Sequence, residues 1–366
     1  MSGHGPYRVE PLRYYFEHAP AKLHSEMGAP NVPELTTLRR LMPESALWPQ
    51  NYEWPLHDYY PLSPTPEAQR RPNEIDSEFG GATNISDWAE LAQLVDYNAY
   101  RGMFEGQSRN RLGLLIWMSH PAWPSLLWQT YDYFFDTDAG YYGAKKGAEP
   151  LHIQWNAATD AVEVVNYNAG DQTGLTARAE IINLDGSTKW EKSAPLDSRE
   201  DSTASPIQLE FPAGLSKTHF IRLTLSQGGM VVSSNFYLRG RTENDYTGIR
   251  DLPGVEIQMK SHTKRKGSEW LLTADLRNTS KSPALLVRVK AVRAKTGDLI
   301  VPALYDDNYL ALMPGERRTI HVELEDADTR GEHPRLVLSG FNLISSGHHW
   351  APAATAQGVQ QSGSPD

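Results

Sequence analysis

Cysteine is missing altogether from these 366 residues. That excludes disulfides, thiolate metal sites and a cysteine nucleophile. No apolar run approaches the roughly 20 residues that a helix needs to cross a bilayer, which argues against a membrane partner. The start, MSGHGPYRVEPLRYYF, lacks the apolar core of a signal peptide. Its Pro and aromatic residues read as a loop inside a domain, so the chain is expected to begin partway through a larger protein. Basic charge is short: 35 Lys and Arg stand against 45 Asp and Glu, a formal net charge of −10. Phosphate backbones want a basic face, so a nucleic-acid partner is disfavoured too. The most basic stretch, KSHTKRKGSEW, reads as a solvated hairpin tip. Two hydrolase chemistries lack their motifs. No Gly-x-Ser-x-Gly elbow occurs, and His348-His349 has no spaced carboxylates to make a zinc site, so no metal or other cofactor is expected.

What is present can bury a core. Apolar residues are 39% and charged ones 22%, and the length suits two or three domains. Residues 1–149 are rich in Pro and Trp and hold the clearest helical pattern. In SDWAELAQLVDYNAYRGMFEGQSRN, Ser86 is the expected N-cap and Glu90 falls in the first turn, with Leu91, Leu94, Val95 and Tyr97 following at helical spacing. LGLLIWMSHP is a short continuous apolar run ended by Pro, the pattern of a strand buried on both faces. From EPLHIQWN onward the period changes to two. Ile221, Leu223 and Leu225 alternate with Arg222 and Thr224, and Val287, Val289 and Ala291 alternate with Arg288 and Lys290. Ile320, Val322 and Leu324 repeat the pattern, which predicts antiparallel strands with one buried face, grouped into β-sandwiches. Residues 241–254 read as a polar linker between two sandwiches, 150–240 and 255–345, and residues 346–366 as a low-complexity disordered tail.

One carboxylate stands out in KLHSEMGAPNVP. A strand-like approach delivers Glu26 where the chain turns into a Pro-broken loop, the kind of place where barrel enzymes hold catalytic groups. Alone it reads equally as a loop acid accepting backbone hydrogen bonds. Around it in sequence come Trp48, Trp54, Trp117, Trp123 and Trp128. Each could be core packing, but aromatic faces beside carboxylates are also how proteins hold sugar rings.

The run HSEMGAPNVPELTTLRRLMP resembles the nucleophile segment of glycoside hydrolase family 2. IWMSHPAWPSLLWQTYDYFFDTDAGYYGAKKGAEPLHIQWN is similar to its final barrel strand and the passage into an immunoglobulin-like domain, and YDDNYLALMPGERRTIHVE to its last sandwich. The branch it resembles holds exo-β-glucosaminidases and mannosylglycoprotein endo-β-mannosidases. The resemblance implies a multidomain fold: the C-terminal part of a (β/α)8 TIM barrel over 1–149, then two immunoglobulin-like β-sandwich domains. It implies that Glu26 is the nucleophile of a retaining mechanism and that Trp117 walls the subsite of the reacting sugar. His120 falls where many members carry Asn, which leaves the sugar preference open. Tyr7 matches a loop whose hydroxyl reaches the nucleophile, Trp54 lines the mouth, and Trp123 joins the substrate-binding set. For these side chains, core or loop packing is the competing reading.

In this family the acid/base is a Glu after Asn, well upstream of the nucleophile. Here the Asn73-Glu74 pair lies downstream, in what reads as a polar loop, and is taken as a chance match. An eightfold barrel needs about 250 residues, more than precede the sandwiches here. The expectation is a β-mannosidase or β-glucosaminidase polypeptide with the nucleophile but not the acid/base, its partners a β-linked oligosaccharide and the missing N-terminal half. The alternative is an inactive fragment that binds carbohydrate or acts as a scaffold. Residues 150–345 are expected to fold alone and 1–149 to be marginal. Localisation stays open, although the family's members are often exported.

Overall fold

Both hydrophobic periods seen in the chain appear as structure in a computed structural model, which describes residues 2–18, 22–59, 70–108 and 113–344. Near the N-terminus, β1 (Ser2–Tyr7), β2 (Leu23–Gly28) and β3 (Leu114–Ile116) form a parallel sheet in the order β1-β2-β3. Among the described residues this sheet stops at three strands, and no barrel closes. β3 departs from expectation: Leu114 and Ile116 pack against the helical core, whereas Leu115 points to the opposite face and is 62% exposed.

The described helices are α1 (Leu12–Glu17), α2 (Leu35–Leu41), α3 (Glu44–Leu47), α4 (Arg70–Phe79), α5 (Ile85–Gln107) and α6 (Ala139–Gly147), of which α1, α5 and α6 share a core with Met27, Leu114 and Ile116 of the sheet. The long α5 organises the layer. Its cap is Asn84, whose side-chain oxygen accepts from the Asp87 amide at 3.0 Å, so Ser86 lies inside the helix rather than capping it. Gly106 lets α1 approach, since a Cβ there would overlap the Tyr15 carbonyl. Asn73 and Glu74 belong to α4, not to a loop.

The remainder is antiparallel. The first sandwich contains β4 (Leu151–Asn156), β5 (Ala161–Asn166), β6 (Gln172–Asn183), β7 (Thr188–Ser198), β8 (Ser202–Gln208), β9 (Thr218–Gln227) and β10 (Met230–Gly240). Its sheets are β4-β5-β8 and β10-β9-β6-β7, with Ile153, Val162 and Val164 packed against Ala179, Ile221 and Leu223. The second contains β11 (Ile257–Lys266), β12 (Glu269–Asn278), β13 (Ala284–Arg293), β14 (Leu304–Tyr305), β15 (Leu310–Leu312), β16 (Arg317–Glu325) and β17 (Pro334–Ser339). Its sheets are β11-β12-β16-β14 and β15-β13-β17. The basic stretch is the exposed tip of the β11–β12 hairpin, turning at Gly267 with φ +64°.

The largest apolar core belongs to no single layer. Leu38, Leu47, Trp54, Trp88, Leu91 and Leu94 of the helical layer share it with Phe220 of the first sandwich and with Leu285, Leu286 and Phe341 of the second. Residues 150–345, expected to fold alone, thus place side chains in this core that the helical layer covers. The shared core also explains why β9 and β13 are buried on both faces and not on one. Arg222 and Arg288 are 8% and 4% exposed, each paired: Arg222 with Glu316, and Arg288 with Asp136 at 2.6 Å. The 241–254 segment is likewise a packed seam. Ile249 and Leu252 are buried, the Tyr246 amide donates to the Glu78 carbonyl at 2.7 Å, and Arg250 reaches Asp87 at 2.6 Å. The predicted tail and His348-His349 lie outside the described residues.

Candidate functional site

Parallel strands bring their C-terminal ends to one side of a sheet, and the side chains found there are Tyr7, Glu26 and Trp117. Glu26 is two residues from the end of β2, the central strand. Tyr7 closes β1 and donates its hydroxyl to Glu26 Oε1 at 2.5 Å. That hydrogen bond, with burial and the carboxylate charge adding to it, pushes the Tyr7 phenol up to about 12. The phenol therefore stays protonated and remains a donor at any working pH. On the other side, the Trp117 amide donates to the Met27 carbonyl at 2.8 Å, which extends the β2–β3 pairing by one residue. Gly28 makes this approach possible, since a Cβ there would overlap the Trp117 carbonyl.

The segment after β3 folds back on itself. The Met118 amide donates to the Trp128 carbonyl at 2.6 Å and the Tyr131 amide to the Ser119 carbonyl at 2.8 Å. Two aromatic residues in this segment hold left-handed backbones, Trp128 at φ +78° and Phe135 at φ +66°. Trp128 puts its ring edge against Tyr7, centroids 6.3 Å apart, and so supports the phenol that touches Glu26. Phe135 is 54% exposed and stacks on the exposed His120 at 4.6 Å. Trp117 and Trp123 are about half-exposed.

Buried polar groups fix this segment to the loop that follows β2. Asn31, fully buried, donates to the Gln129 carbonyl and to Asp138 Oδ2, the latter at 2.5 Å. Gln93 of α5 bridges the same two stretches: it donates to the Val32 carbonyl at 2.9 Å and accepts from the Ala139 amide at 2.9 Å. Thr37 donates to Asp132, whose carboxyl is pushed up to about 6 by burial and by Asp136. Burial, then the nearby Asp96, also raises Asp138 well above the usual range. Among the described residues no group of three or more His, Asp or Glu could hold a metal ion.

The six residues singled out from sequence do not all meet. Tyr7 and Glu26 are in contact, and Trp117 is on the neighbouring strand end. His120 and Trp123 are exposed on the following segment. Trp54 is a correction. It is fully buried, donates Nε1–H to the Ala46 carbonyl at 2.8 Å, and packs edge-on against Tyr59 and Trp88. A sugar cannot reach it; the apolar neighbours on α3 and α5 claim both its ring and its N–H. Trp128, one of the five tryptophans weighed as sugar-ring partners, was not carried into the six, and Phe135 was not singled out at all. A left-handed φ at an aromatic residue leaves no mark in the sequence, although the YDYFFD run does show aromatics set among acids, where exposure is expected.

Residues 235–343 match the family described as the exo-β-D-glucosaminidase Ig-fold domain. Over 92% of its length the chain is 32% identical to an exo-β-D-glucosaminidase of Streptomyces avermitilis, and it covers 42% of that protein. A mannosylglycoprotein endo-β-mannosidase of Lilium longiflorum is 24% identical, with 92% of this chain and 44% of the relative covered. In structure the chain superimposes on the exo-chitosanase of Amycolatopsis orientalis with a TM-score of 0.84 and 28% identity, covering 93% of this chain and 45% of that one. A variant of that enzyme has been solved in complex with PNP-β-D-glucosamine. The chain thus spans less than half the length of the curated relatives it matches.

Proposed function

We propose that this chain, homologous to the C-terminal portion of the exo-β-glucosaminidase and mannosidase branch of glycoside hydrolase family 2, carries the nucleophile side of a retaining β-glycosidase site. The observation that carries the reading is the Tyr7–Glu26 hydrogen bond at the C-terminal end of a parallel sheet, with Trp117 on the adjoining strand. In the proposal the three parallel strands are part of a (β/α)8 barrel, whose catalytic groups stand at strand C-termini.

Glu26 attacks the anomeric carbon and forms a glycosyl ester, while a second carboxyl about 5 Å away protonates the leaving oxygen and later deprotonates the attacking water. The proposal assigns that second carboxyl to residues outside this chain. Tyr7 holds the Glu26 carboxylate in one orientation and stabilises its charge again when the ester breaks. Trp117 offers a face to the sugar ring, and His120 on Phe135, with Trp123, extends it. β-Glucosaminides are the first substrate class and β-mannosides the second, in the order of likeness to the relatives. A free amino sugar is cationic, and a chain of net charge −10 attracts it.

The exposed Leu115, on a strand that no further described strand joins, favours a second reading, a chain that binds sugar without turning it over. An activated aryl glycoside separates the two, because a dinitrophenolate leaves without being protonated. The expected result is release of dinitrophenol from the β-glucosaminide by the purified chain, abolished in Glu26→Gln. Equal release by wild type and Glu26→Gln would refute the role of Glu26. Amino-sugar binding without release would support the second reading, and neither binding nor release by the folded chain would overturn both.

A further inference from the structure

Two loops carry the proposed site, and the parallel sheet fixes only one end of each. The first runs from Gly28, at the end of β2, to Glu34, just before α2. The second runs from Trp117 to Asp138, the cap of α6. Their far ends meet on the second sandwich. Nη2 of Arg288, on β13, donates to both carboxylate oxygens of Asp136, at 2.6 and 2.7 Å, and Nη1 lies 3.2 Å from Glu34 Oε2. Tyr309, just before β15, donates its hydroxyl to Glu34 Oε1 at 2.5 Å, with the Thr137 carbonyl 3.2 Å away. Its ring lies 5.4 Å from the Arg288 guanidinium, and both side chains are about 4% exposed.

These contacts lie outside the core of the sandwich that supplies them, and Tyr309 belongs to the shared core instead. Val287, Val289 and Ala291 fill the second sandwich's core, while Arg288 lies on the opposite face of the same strand. A guanidinium has a rigid fork, so one Arg pairing with carboxylates from two loops sets the distance between those loops. Eight residues before Glu34 is Glu26, and one residue before Asp136 is Phe135, which stacks on His120.

We infer that Arg288 and Tyr309 are positioning residues of the sugar site, so that the second sandwich sets the spacing between the Glu26 loop and the aromatic segment that faces the sugar. The inference rests on the reading of Glu26 and Trp117 as that site. It assigns the second sandwich a part in substrate recognition that needs no contact with the substrate.

The test compares Tyr309→Phe and Arg288→Lys with wild type in the full chain, by hydrogen–deuterium exchange and by affinity for a glucosamine tetrasaccharide read from tryptophan fluorescence. One variant removes only a hydroxyl, and the other keeps the charge but loses the fork. Leu225→Ala, in the first sandwich core, serves as a variant that lowers stability without touching either loop. In both seam variants, amides of 28–34 and 128–138 should exchange about tenfold faster, as loss of a charge-assisted hydrogen bond implies. The dissociation constant should rise by a similar factor, while the amides of β4 to β10 stay unchanged and Leu225→Ala binds like wild type. Unchanged loop exchange, or effects matched by Leu225→Ala, would overturn the inference. Faster loop exchange in a chain whose wild type binds no amino sugar would retire the substrate reading and leave the loop clamp standing.

Discussion

Glu105 is a sharp test of what holds the helical layer to the first sandwich. Its side chain is fully buried on α5, and one oxygen accepts from Tyr237 Oη at 2.8 Å and Asn235 Nδ2 at 2.7 Å, with His152 Nε2 3.1 Å away. The Arg101 guanidinium lies 4.0 Å from the Tyr237 ring and donates to Asn235 at 2.9 Å. Glu105→Gln keeps the shape and the acceptor but removes the charge. A hydrogen bond to a charged group is worth about 1 kcal/mol more than a neutral one, so three of them put the loss at about 3 kcal/mol. Relief of the carboxylate's own desolvation works the other way. It does not win here, because the Arg101 cation stays buried with less to balance it and the buried His152 ring loses an ionic partner. Against a total of about 5–15 kcal/mol, the loss is visible in any unfolding curve. The assay is urea denaturation followed by tryptophan fluorescence, with Tyr237→Phe and the double variant completing a cycle. The expected coupling between the two sites is about 1 kcal/mol, and the m-value should not change. A Glu105→Gln midpoint within about 0.5 kcal/mol of wild type, or additivity within the same margin, would refute the reasoning.

The neighbouring ionisations predict a pH window. Burial alone would lower the His152 pKa, but hydrogen bonds to Glu105 and Glu149 outweigh it and leave it raised, so its stabilisation is complete below about 6.5 and is lost as pH rises through the folded value. Burial would raise Glu149, but His152 and Lys146 outweigh it and bring the carboxyl down to about 2, so its stabilisation is present above about 4.5 and fades as pH falls toward 2. Thermal melts should therefore peak between those limits, and His152→Gln should flatten the alkaline side. Trp54→Ala should cost about 3–5 kcal/mol, as for a large core truncation, whereas Trp117→Ala should change stability by about 0.5 kcal/mol or less yet abolish sugar binding. The opposite pattern in paired denaturation and binding experiments would reverse their assignments. Gly28→Ala should push β3 away from β2 at a cost of about 1–3 kcal/mol and weaken sugar binding, where retained affinity would show that Trp117 tolerates the shift.

Alternation in the sequence told the strands from the helices, and in β9 and β13 it told one face from the other. What it could not tell was the neighbour of the second face. Arg222 and Arg288 look solvated in a strand pattern, and only groups from other layers turn them into buried, paired charges: Glu316 of the second sandwich for Arg222, Asp136 and Glu34 for Arg288. Trp54 failed for the mirror reason: an aromatic residue in a Pro-rich loop looks available, and its burial depends on Ala46, Tyr59 and Trp88 arriving from other segments. The contact between Tyr7 and Glu26 was anticipated through family resemblance, since nothing in their spacing predicts that parallel strands place them side by side. Asn84 took the cap that Ser86 was expected to hold, a shift of two residues within a run of capping-competent side chains.

The shared core has a consequence for the order in which the protein can be made. Trp54 and Phe341 belong to one apolar cluster although more than three quarters of the chain lies between them. At about 5–20 residues per second, a ribosome takes roughly 15–60 s to pass from one to the other. Through that interval the first sandwich can close on its own strands, but the tryptophan-lined face of the helical layer lacks part of its cover. The nascent chain is then a substrate for any chaperone that grips aromatic surface, and a stop codon ahead of β13 would leave that grip without a release.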